Sequence, residues 1–417
     1  MLDIKLMREN PEEIKKKIAQ KGAEPALIDE ALELDARRRD LLAKLERNQN
    51  ELNKLSKDVI HLHSQQKIDA INSASLVGDK VKQLKPEFDK VDEEYRKVML
   101  SIPNPPADGV IAGQSENDNT VNRKWGDLPR FDFPALDNIE IAKRLDLFDT
   151  ERAAKVAGSR FYYLKRELAI LELSLFRYAF DFLVKEGFIP MIPPVLLNRA
   201  VMEGAGYIPG GEEEIYKTQD NLYLAGTAEQ PLAAYHKDEI LDEKNLPLRY
   251  VALSTSFRRE AGSHGKDVKG ILRAHQFNKV EMFSFVKPED SAKEHEYLVS
   301  LEEKMMQELK LPYQVVNICA GDLGAPAAKK FDIEAWLPSE NAYRETHSCS
   351  NCTDFQARRL NIRYKGKGKA EYIHTLNGTA FSDRPLLAIL ENYQQKDGSV
   401  AVPEVLIKYT GFSDIRR

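Results

Sequence analysis

Phe257-Arg258-Arg259-Glu260 and, after a glycine-bearing loop, Leu272-Arg273-Ala274-His275-Gln276-Phe277-Asn278-Lys279-Val280-Glu281 read as the two arms of a hairpin. Both have strand-like composition, and both carry ionised side chains where a fully buried sheet would carry apolar ones. Two-residue alternation puts Arg258 and Glu260 on one face, and Arg273, His275, Phe277, Lys279 and Glu281 on one face of the returning strand. An aromatic ring between charged groups suits a flat heterocycle lying on the ring, with guanidinium groups on phosphates. A solvated sheet face laced by salt bridges, each contributing ~0.2–1 kcal/mol, accounts for the hairpin equally well. The connecting loop 261–271, with Gly262, Gly265, Lys266, Lys269 and Gly270, reads as a basic lid, a contact to a nucleic-acid end or a solvated turn.

Around the hairpin, strand-like stretches recur near 188–196, 213–227, 249–258, 271–286, 314–318, 331–337 and 370–377. Turns rather than regular crossover helices join them, which predicts one α+β domain over 123–417 on a mainly antiparallel sheet. No GxGxxG follows a strand and no GxxxxGK[ST] occurs, so neither common nucleotide-binding fold is signalled. A helix over 160–186 carries Leu164, Leu168, Leu171, Leu175 and Tyr178 as one stripe, a short helix is expected over 230–236, and a last helix near 385–395 is apolar enough to be buried.

Residues 1–100 have a different pattern. Asn10, Pro11 and Glu13 read as N-cap, first-turn proline and third-position carboxylate of a short helix. Leu27, Ala31, Leu34, Arg38, Leu41, Leu45, Asn48, Leu52, Leu55 and Val59 then alternate steps of four and three, a heptad seam weakened by Arg38 and Asn48. Residues 61–79 collect His, Gln, Asn, Ser and Gly and read as a turn region; Val81, Leu84, Phe88, Val91, Tyr95 and Val98 resume the seam. An antiparallel two-helix coiled-coil arm is predicted, with Pro86 kinking the return helix or delaying its start. A dimerisation rod, a spacer and a recognition arm all fit this pattern. Ser101-Ile-Pro-Asn-Pro-Pro106 breaks the helix and opens a linker over 101–122.

A formal net charge of -5 excludes a polybasic nucleic-acid binder but leaves room for a local basic groove. Three cysteines imply no disulfide framework and fit a reducing cytoplasm. The start MLDIKLMREN lacks the apolar core of a signal peptide, and no segment approaches the ~20 apolar residues of a membrane span.

Further residues carry chemical potential. Thr227-Ala228-Glu229 presents a hydroxyl and a carboxylate two residues apart, or a helix cap. Glu334, among apolar neighbours in Phe331–Trp336, must find a partner or shift its pKa. Glu345 and Ser348 offer hard oxygen donors for Mg²⁺ beside phosphates. Cys349 and Cys352 offer only half a zinc site unless His347 and Cys319 join them, so two inert thiols are the simpler reading. Arg384, at the head of an apolar helix, suits a rigid phosphate clamp or a solvated helix start.

In this order these segments resemble the seryl-tRNA synthetase family of class II aminoacyl-tRNA synthetases, over almost the whole chain. Gly187-Phe188-Ile189-Pro190-Met191-Ile192-Pro193-Pro194 is similar to class II motif 1, Phe257–Glu260 with Arg273–Phe277 to motif 2, and Asn377-Gly378-Thr379 through Arg384 to Asn392 to motif 3. Thr227–Glu229, Glu345–Ser348 with Cys349–Cys352, Asp354–Arg359 and the N-terminal arm resemble the seryl branch. The resemblance implies ATP and Mg²⁺. Arg258 is expected on the α-phosphate, Glu260 at the adenine edge, Phe277 under adenine, Arg273 and Arg384 on the outer phosphates, and Glu345 and Ser348 on the metal. Thr227, Glu229, Glu281, Asn377 and Thr379 are expected around L-serine.

It also implies a homodimer through the catalytic domain, and an arm that reads the long variable arm of the serine tRNA while its acceptor end receives serine. The selenocysteine tRNA is a further candidate substrate. One residue fewer separates Asn377-Gly378 from Arg384 than in the usual family pattern, and Asp383 replaces a small residue there. A carboxylate beside a phosphate clamp weakens it unless it points away. Two other readings are a paralogue loading a carrier protein and a non-enzymatic coiled-coil protein on a synthetase-like core. The long arm argues against the first, and Arg258, Glu281, Glu345 and Arg384 together argue against the second.

Overall fold

The computed structural model describes residues 1–261 and 271–417. The lid reading at Gly262, Gly265, Lys266, Lys269 and Gly270 therefore falls outside the described residues. The chain divides into two compact units: Leu2–Ala19 with Ala23–Pro103, and Met1, Gln20–Gly22 and Asn104–Arg417.

The smaller unit is helical: α1 (Ile4–Glu9), α2 (Pro11–Ala19), α3 (Ala26–Asp58) and α4 (Ser64–Ser101). The two long helices pack along each other. Their buried seam is thin, with Ile28, Ala31 and Leu41 on α3 and Val77, Val91 and Met99 on α4. Arg38 does not weaken it as expected: its guanidinium pairs with Asp92 and lies over the rings of Phe88 and Tyr95 at 5.8 and 5.5 Å. The buried Asp35 is held by Arg8 through two bonds of 2.8 and 2.7 Å and by Arg39 at 3.1 Å.

The turn region expected over 61–79 shrinks to a few residues, because α4 begins at Ser64 and runs unbroken through Pro86. Polar composition misled here. An arm tip exposed on all sides needs no apolar stripe, and i,i+4 bonds such as Gln65 to Asp69 at 2.9 Å suffice on its surface.

The larger unit is built on eight strands: β1 (Thr120–Trp125), β2 (Ile189–Met191), β3 (Leu248–Phe257), β4 (Gln276–Val286), β5 (Tyr313–Asn317), β6 (Lys329–Leu337), β7 (Ala342–Thr353) and β8 (His374–Ser382). Their order is β1-β5-β6-β7-β8-β4-β3-β2, antiparallel throughout except for the β2–β3 pair at one edge. The rear face carries Val251, Val280, Met282, Phe331, Ile333, Leu376 and Phe381 into the main core. Three helices cover it: α5 (Arg166–Lys185), α6 (Ser291–Glu308) and α7 (Arg384–Asn392). The front face is polar around Glu281, Asn377 and Glu345, while Tyr250, Ala252, Phe283 and Phe285 on β3 and β4 enter a second apolar core.

Five expectations need correction. Helix α5 begins at Arg166, because Arg160 and Arg166 sit at φ +61° and +53° and Tyr163–Leu164 pairs with Phe148–Asp149. Within 213–227 only Tyr223–Leu224 is strand, paired with Leu196–Leu197, and the helix expected over 230–236 is Glu229–Ala233. Strand β4 starts at Gln276 rather than 271. Strand β7 was not anticipated, since its sequence AYRETHSCSNCT lacks apolar alternation.

Candidate active site

The hairpin is formed by β3 and β4, in register from Leu248↔Phe285 to Phe257↔Gln276. Arg258 and Glu260 lie just past the end of β3, so strand alternation does not place them together. Glu260 takes φ +51°, and its carboxylate receives Arg273 Nη1 at 3.0 Å. Arg258 donates its backbone N–H to His275 O at 3.0 Å and Nε to Gly226 O at 3.2 Å. That holds its guanidinium 5.2 Å from the centre of the Phe277 ring. His275 departs from the expected face: its Nδ1 meets Arg258 O at 3.0 Å and its ring lies against Phe161 at 5.3 Å.

Thr227, Glu229, Glu281, Asn377 and Thr379 are all buried. Thr379 sits opposite Glu281, and Asn377 follows on the same face of β8. Thr227 Oγ1 accepts the Glu229 N–H at 3.2 Å. Glu229 accepts Tyr207 Oη at 2.8 Å and Gln356 Nε2 at 2.8 Å, and Glu281 pairs with Lys279. Burial pushes both carboxyls up; Lys279 and Arg258 pull them back, while Glu229 adds to the rise at Glu281. Two buried carboxyls with incomplete compensation can receive an ammonium group. Tyr207 and Gln356 were missed in the sequence. Gln356 lies inside the family string Asp354–Arg359, whereas Tyr207 carries no sequence signal.

Glu345 and Ser348 stand three apart, a spacing that puts strand residues on opposite faces. A bulge corrects this. Ile333 pairs with His347 and Glu334 with Glu345, leaving Thr346 as the extra residue. Glu345 and Ser348 therefore both face front, beside Asp332 and Glu334, while His347 turns to the rear against Phe381 at 5.5 Å. Glu334 is half-buried and accepts Gln314 Nε2 at 2.6 Å; burial raises its pKa.

Arg384 donates to Glu345 Oε1 at 3.0 Å and to Glu345 O at 3.1 Å. Burial opposes the ionised Glu345. The Arg384 guanidinium, with Lys330 and Arg258 behind it, outweighs burial and holds the carboxyl below its usual range. Hard oxygen donors beside guanidinium groups fit a divalent cation carried with phosphates. The two thiols of CxxC part company: Cys349 lies in the rear core, and Cys352 lies 3.7 Å from Asn377 Nδ2. Burial pushes both thiols well up, which makes them poor metal ligands.

A second bulge, at Ala380, accommodates the link before Arg384. Thr379 faces Glu281 and Phe381 faces Val280, so Ala380 and Phe381 both enter the core. Asp383 then turns to the rear and takes the Tyr162 hydroxyl, away from the Arg384–Glu345 pair. The carboxylate beside the clamp does not oppose it.

Residues 1–106 match the family described as the seryl-tRNA synthetase N-terminal domain, and residues 214–393 the class II core domain of the G, H, P, S and T tRNA synthetases. The serine–tRNA ligase of Dictyoglomus turgidum is 46% identical over 422 residues, covering 100% of this chain and 99% of the relative. The chain belongs to the seryl-tRNA synthetase family. Among solved structures, seryl-tRNA synthetase from Pyrococcus horikoshii complexed with ATP superposes with a TM-score of 0.92 at 42% identity, covering 100% of this chain and 99% of that one. The cytoplasmic serine–tRNA ligase of Naegleria fowleri in complex with AMP gives 0.87 at 37%, with the same coverage. Seryl-tRNA synthetase membership joins the helical arm and the antiparallel core in one enzyme. Among the described residues no helix is long and apolar enough to cross a membrane.

Proposed function

We propose that the chain activates L-serine with ATP to seryl-adenylate and pyrophosphate, then transfers serine to the 3′-terminal adenosine of a serine tRNA. The observation that carries this reading is one polar sheet face. It sets an ammonium receptor (Glu229, Glu281) beside an aromatic platform under Arg258 and the Arg384–Glu345 pair. Thr227, Asn377 and Thr379 supply polar groups for the serine hydroxyl. Phe277 takes the adenine, Glu260 its edge, Arg258 the α-phosphate, and Arg273 and Arg384 the outer phosphates.

No side-chain nucleophile is required. The serine carboxylate attacks the α-phosphorus in line, pyrophosphate leaves, and the terminal ribose hydroxyl of the tRNA takes the acyl group. Fixed guanidinium groups stabilise the charge that develops, and positioning supplies the rest. Glu345 and Ser348 would hold a Mg²⁺ ion, which when bound neutralises phosphate charge. With such an ion bound, the Glu345 carboxylate would serve the cation and the Arg384 guanidinium would be free for phosphate. Alanine is rejected because polar groups built for a hydroxyl stay unpaired.

A homodimer is supported by an exposed apolar face on α5 and the strand after it. Ile170, Leu173 (65% exposed), Val184, Ile189 and Ile192 (76%) stand in solvent there. The arm fits the long variable arm of the tRNA, and three free, buried cysteines suit the cytoplasm.

The test is ATP–pyrophosphate exchange with each amino acid in turn. Serine supports it and alanine, glycine and threonine do not; Arg258→Ala abolishes it, a loss of at least ~100-fold. Exchange with threonine or glycine but not serine, or near-normal exchange in Arg258→Ala, would refute the pocket assignment.

A further inference from the structure

Behind the nucleotide side of the site lies a second polar cluster. Asn278 stands between Phe277 and Lys279 on β4 but faces the rear, and Asp383 stands between Ser382 and Arg384 and faces the rear too. Asn278 joins two carboxyls. Its backbone N–H reaches Asp383 Oδ2 at 3.3 Å, and its side-chain Nδ2 donates to Glu172 Oε1 of α5 at 3.0 Å. The Tyr162 hydroxyl also binds Asp383 Oδ2.

Asp383 Oδ1 is buried and meets no N–H or O–H donor among the described residues, which leaves the Glu172 carboxyl, within hydrogen-bonding reach, as its neighbour. Asp383 is only 2% exposed and Glu172 7%. Two buried carboxyls in contact are not both ionised at neutral pH. Burial first, then Glu172, pushes the Asp383 carboxyl well above its usual range. A cavity of about 330 Å³, lined by Tyr162, Glu172, Phe277 and Asn278 with apolar Val156 and Leu164, adjoins the cluster.

We infer that Asp383 keeps a proton that it directs at the Glu172 carboxyl, and that this cluster, bridged by Asn278 and closed by Tyr162, positions the adenine platform Phe277 and the phosphate clamp Arg384. The inference rests on the nucleotide-site reading above. Two members of the cluster are chain neighbours of residues that work at the front: Asn278 follows Phe277, and Asp383 precedes Arg384. That proton ties strand β4, the head of α7 and helix α5 into one unit.

The titratable and charged groups facing Asp383 are Glu172 from α5, Tyr162 from the segment before it, and Arg384 on its own helix, which turns to Glu345. Asn278 is neutral, and Lys279 is engaged on the opposite face with Glu281. When the Asp383 proton is lost, two like charges repel in a buried space, the cluster opens, and Phe277 and Arg384 lose their support. The effect belongs to the alkaline side.

The experiment is serine-dependent ATP–pyrophosphate exchange from neutral to alkaline pH, with ATP affinity of the same proteins measured by calorimetry. In the wild type the KM for ATP rises on the alkaline side. In Glu172→Gln an amide N–H donates to an ionised Asp383, so the alkaline rise disappears while the KM at neutral pH stays close to wild type. Asp383→Ala raises the KM for ATP roughly tenfold and leaves that for serine unchanged, and Asp383→Asn restores most of the loss.

A Glu172→Gln profile identical to wild type overturns the proton held between Asp383 and Glu172. Equal loss of ATP and serine affinity in Asp383→Ala, with a lowered melting temperature, reduces the cluster to a structural role. A wild-type chain without serine-dependent exchange would instead count against the serine assignment, and calorimetric ATP binding by the variants would still decide the pair.

Discussion

At the scale of single residues, the interior carries histidines that are neutral because they are buried. His295 bonds Cys349 O at 3.0 Å and packs on Phe331 at 5.0 Å, and burial lowers its pKa to about 4. Burial lowers that of His347 to about 3. Both titrate near 6.5 in an unfolded chain, so the folded state binds fewer protons below that pH. Their contribution is present above about pH 6.5 and is lost as pH falls toward the depressed value. His295→Gln keeps a donor for Cys349 O but removes the titration. The stability gap between wild type and variant should narrow by about 2 kcal/mol between about pH 7 and about pH 4.5, read from thermal melts. A gap that stays constant with pH would contradict the neutral buried imidazole.

Residue legibility followed the same physics. Arg258, Phe277 and Glu281 stood out because charge on a strand-like segment conflicts with an apolar sheet, and that conflict is visible locally. Glu172, Asp383, Tyr207 and Gln356 did not stand out as a set. Their partners lie between 22 and 221 residues away in the pairs Tyr162–Asp383, Glu229–Gln356 and Tyr207–Glu229, and only the fold brings them together.

Among elements, two bulges decide what the front face can do. Without the extra residue at Thr346, Glu345 and Ser348 would face opposite ways, and without the one at Ala380, Asp383 would turn toward the clamp. Neither bulge is legible in sequence, because each is fixed by pairing with a strand elsewhere. Strand β7 was missed for a related reason: a central strand whose front face serves a polar site lacks the apolar alternation that marks ordinary strands. Helix α5 was legible through its buried stripe at Leu168, Leu171, Leu175 and Tyr178, and only its start was misplaced.

The exposed face of α5 is where the proposed dimer would form. Leu173→Glu introduces a buried charge if that face is covered by a second copy, which is costly without a partner. Light scattering should find the wild type dimeric and the Leu173→Glu chain largely monomeric at low micromolar concentration. A variant that remains fully dimeric would place the interface elsewhere.

For the whole molecule, division of labour between the two units is the central issue. The larger unit holds every residue assigned to serine and ATP. The smaller unit is a thin helical arm whose core is confined to a few apolar positions and whose surface is mostly polar and charged, with Ile60, Ile68, Ile71 and Leu76 exposed near its tip. Heptad spacing made the arm legible. Its length was not, because the distal part of α4 has no stripe to read. A chain that only activated serine would have no use for 33- and 38-residue helices projecting so much polar surface.

The most direct test is therefore charging of total tRNA with labelled serine, by the full chain and by a chain in which residues 27–98 are replaced by a short turn. Serine-dependent pyrophosphate exchange is run beside it on both. The full chain should charge serine tRNA and no other amino acid acceptor, and the shortened chain should keep exchange while charging falls by at least ~100-fold. Failure of the full chain to load serine onto tRNA, or unchanged charging without the arm, would contradict the account.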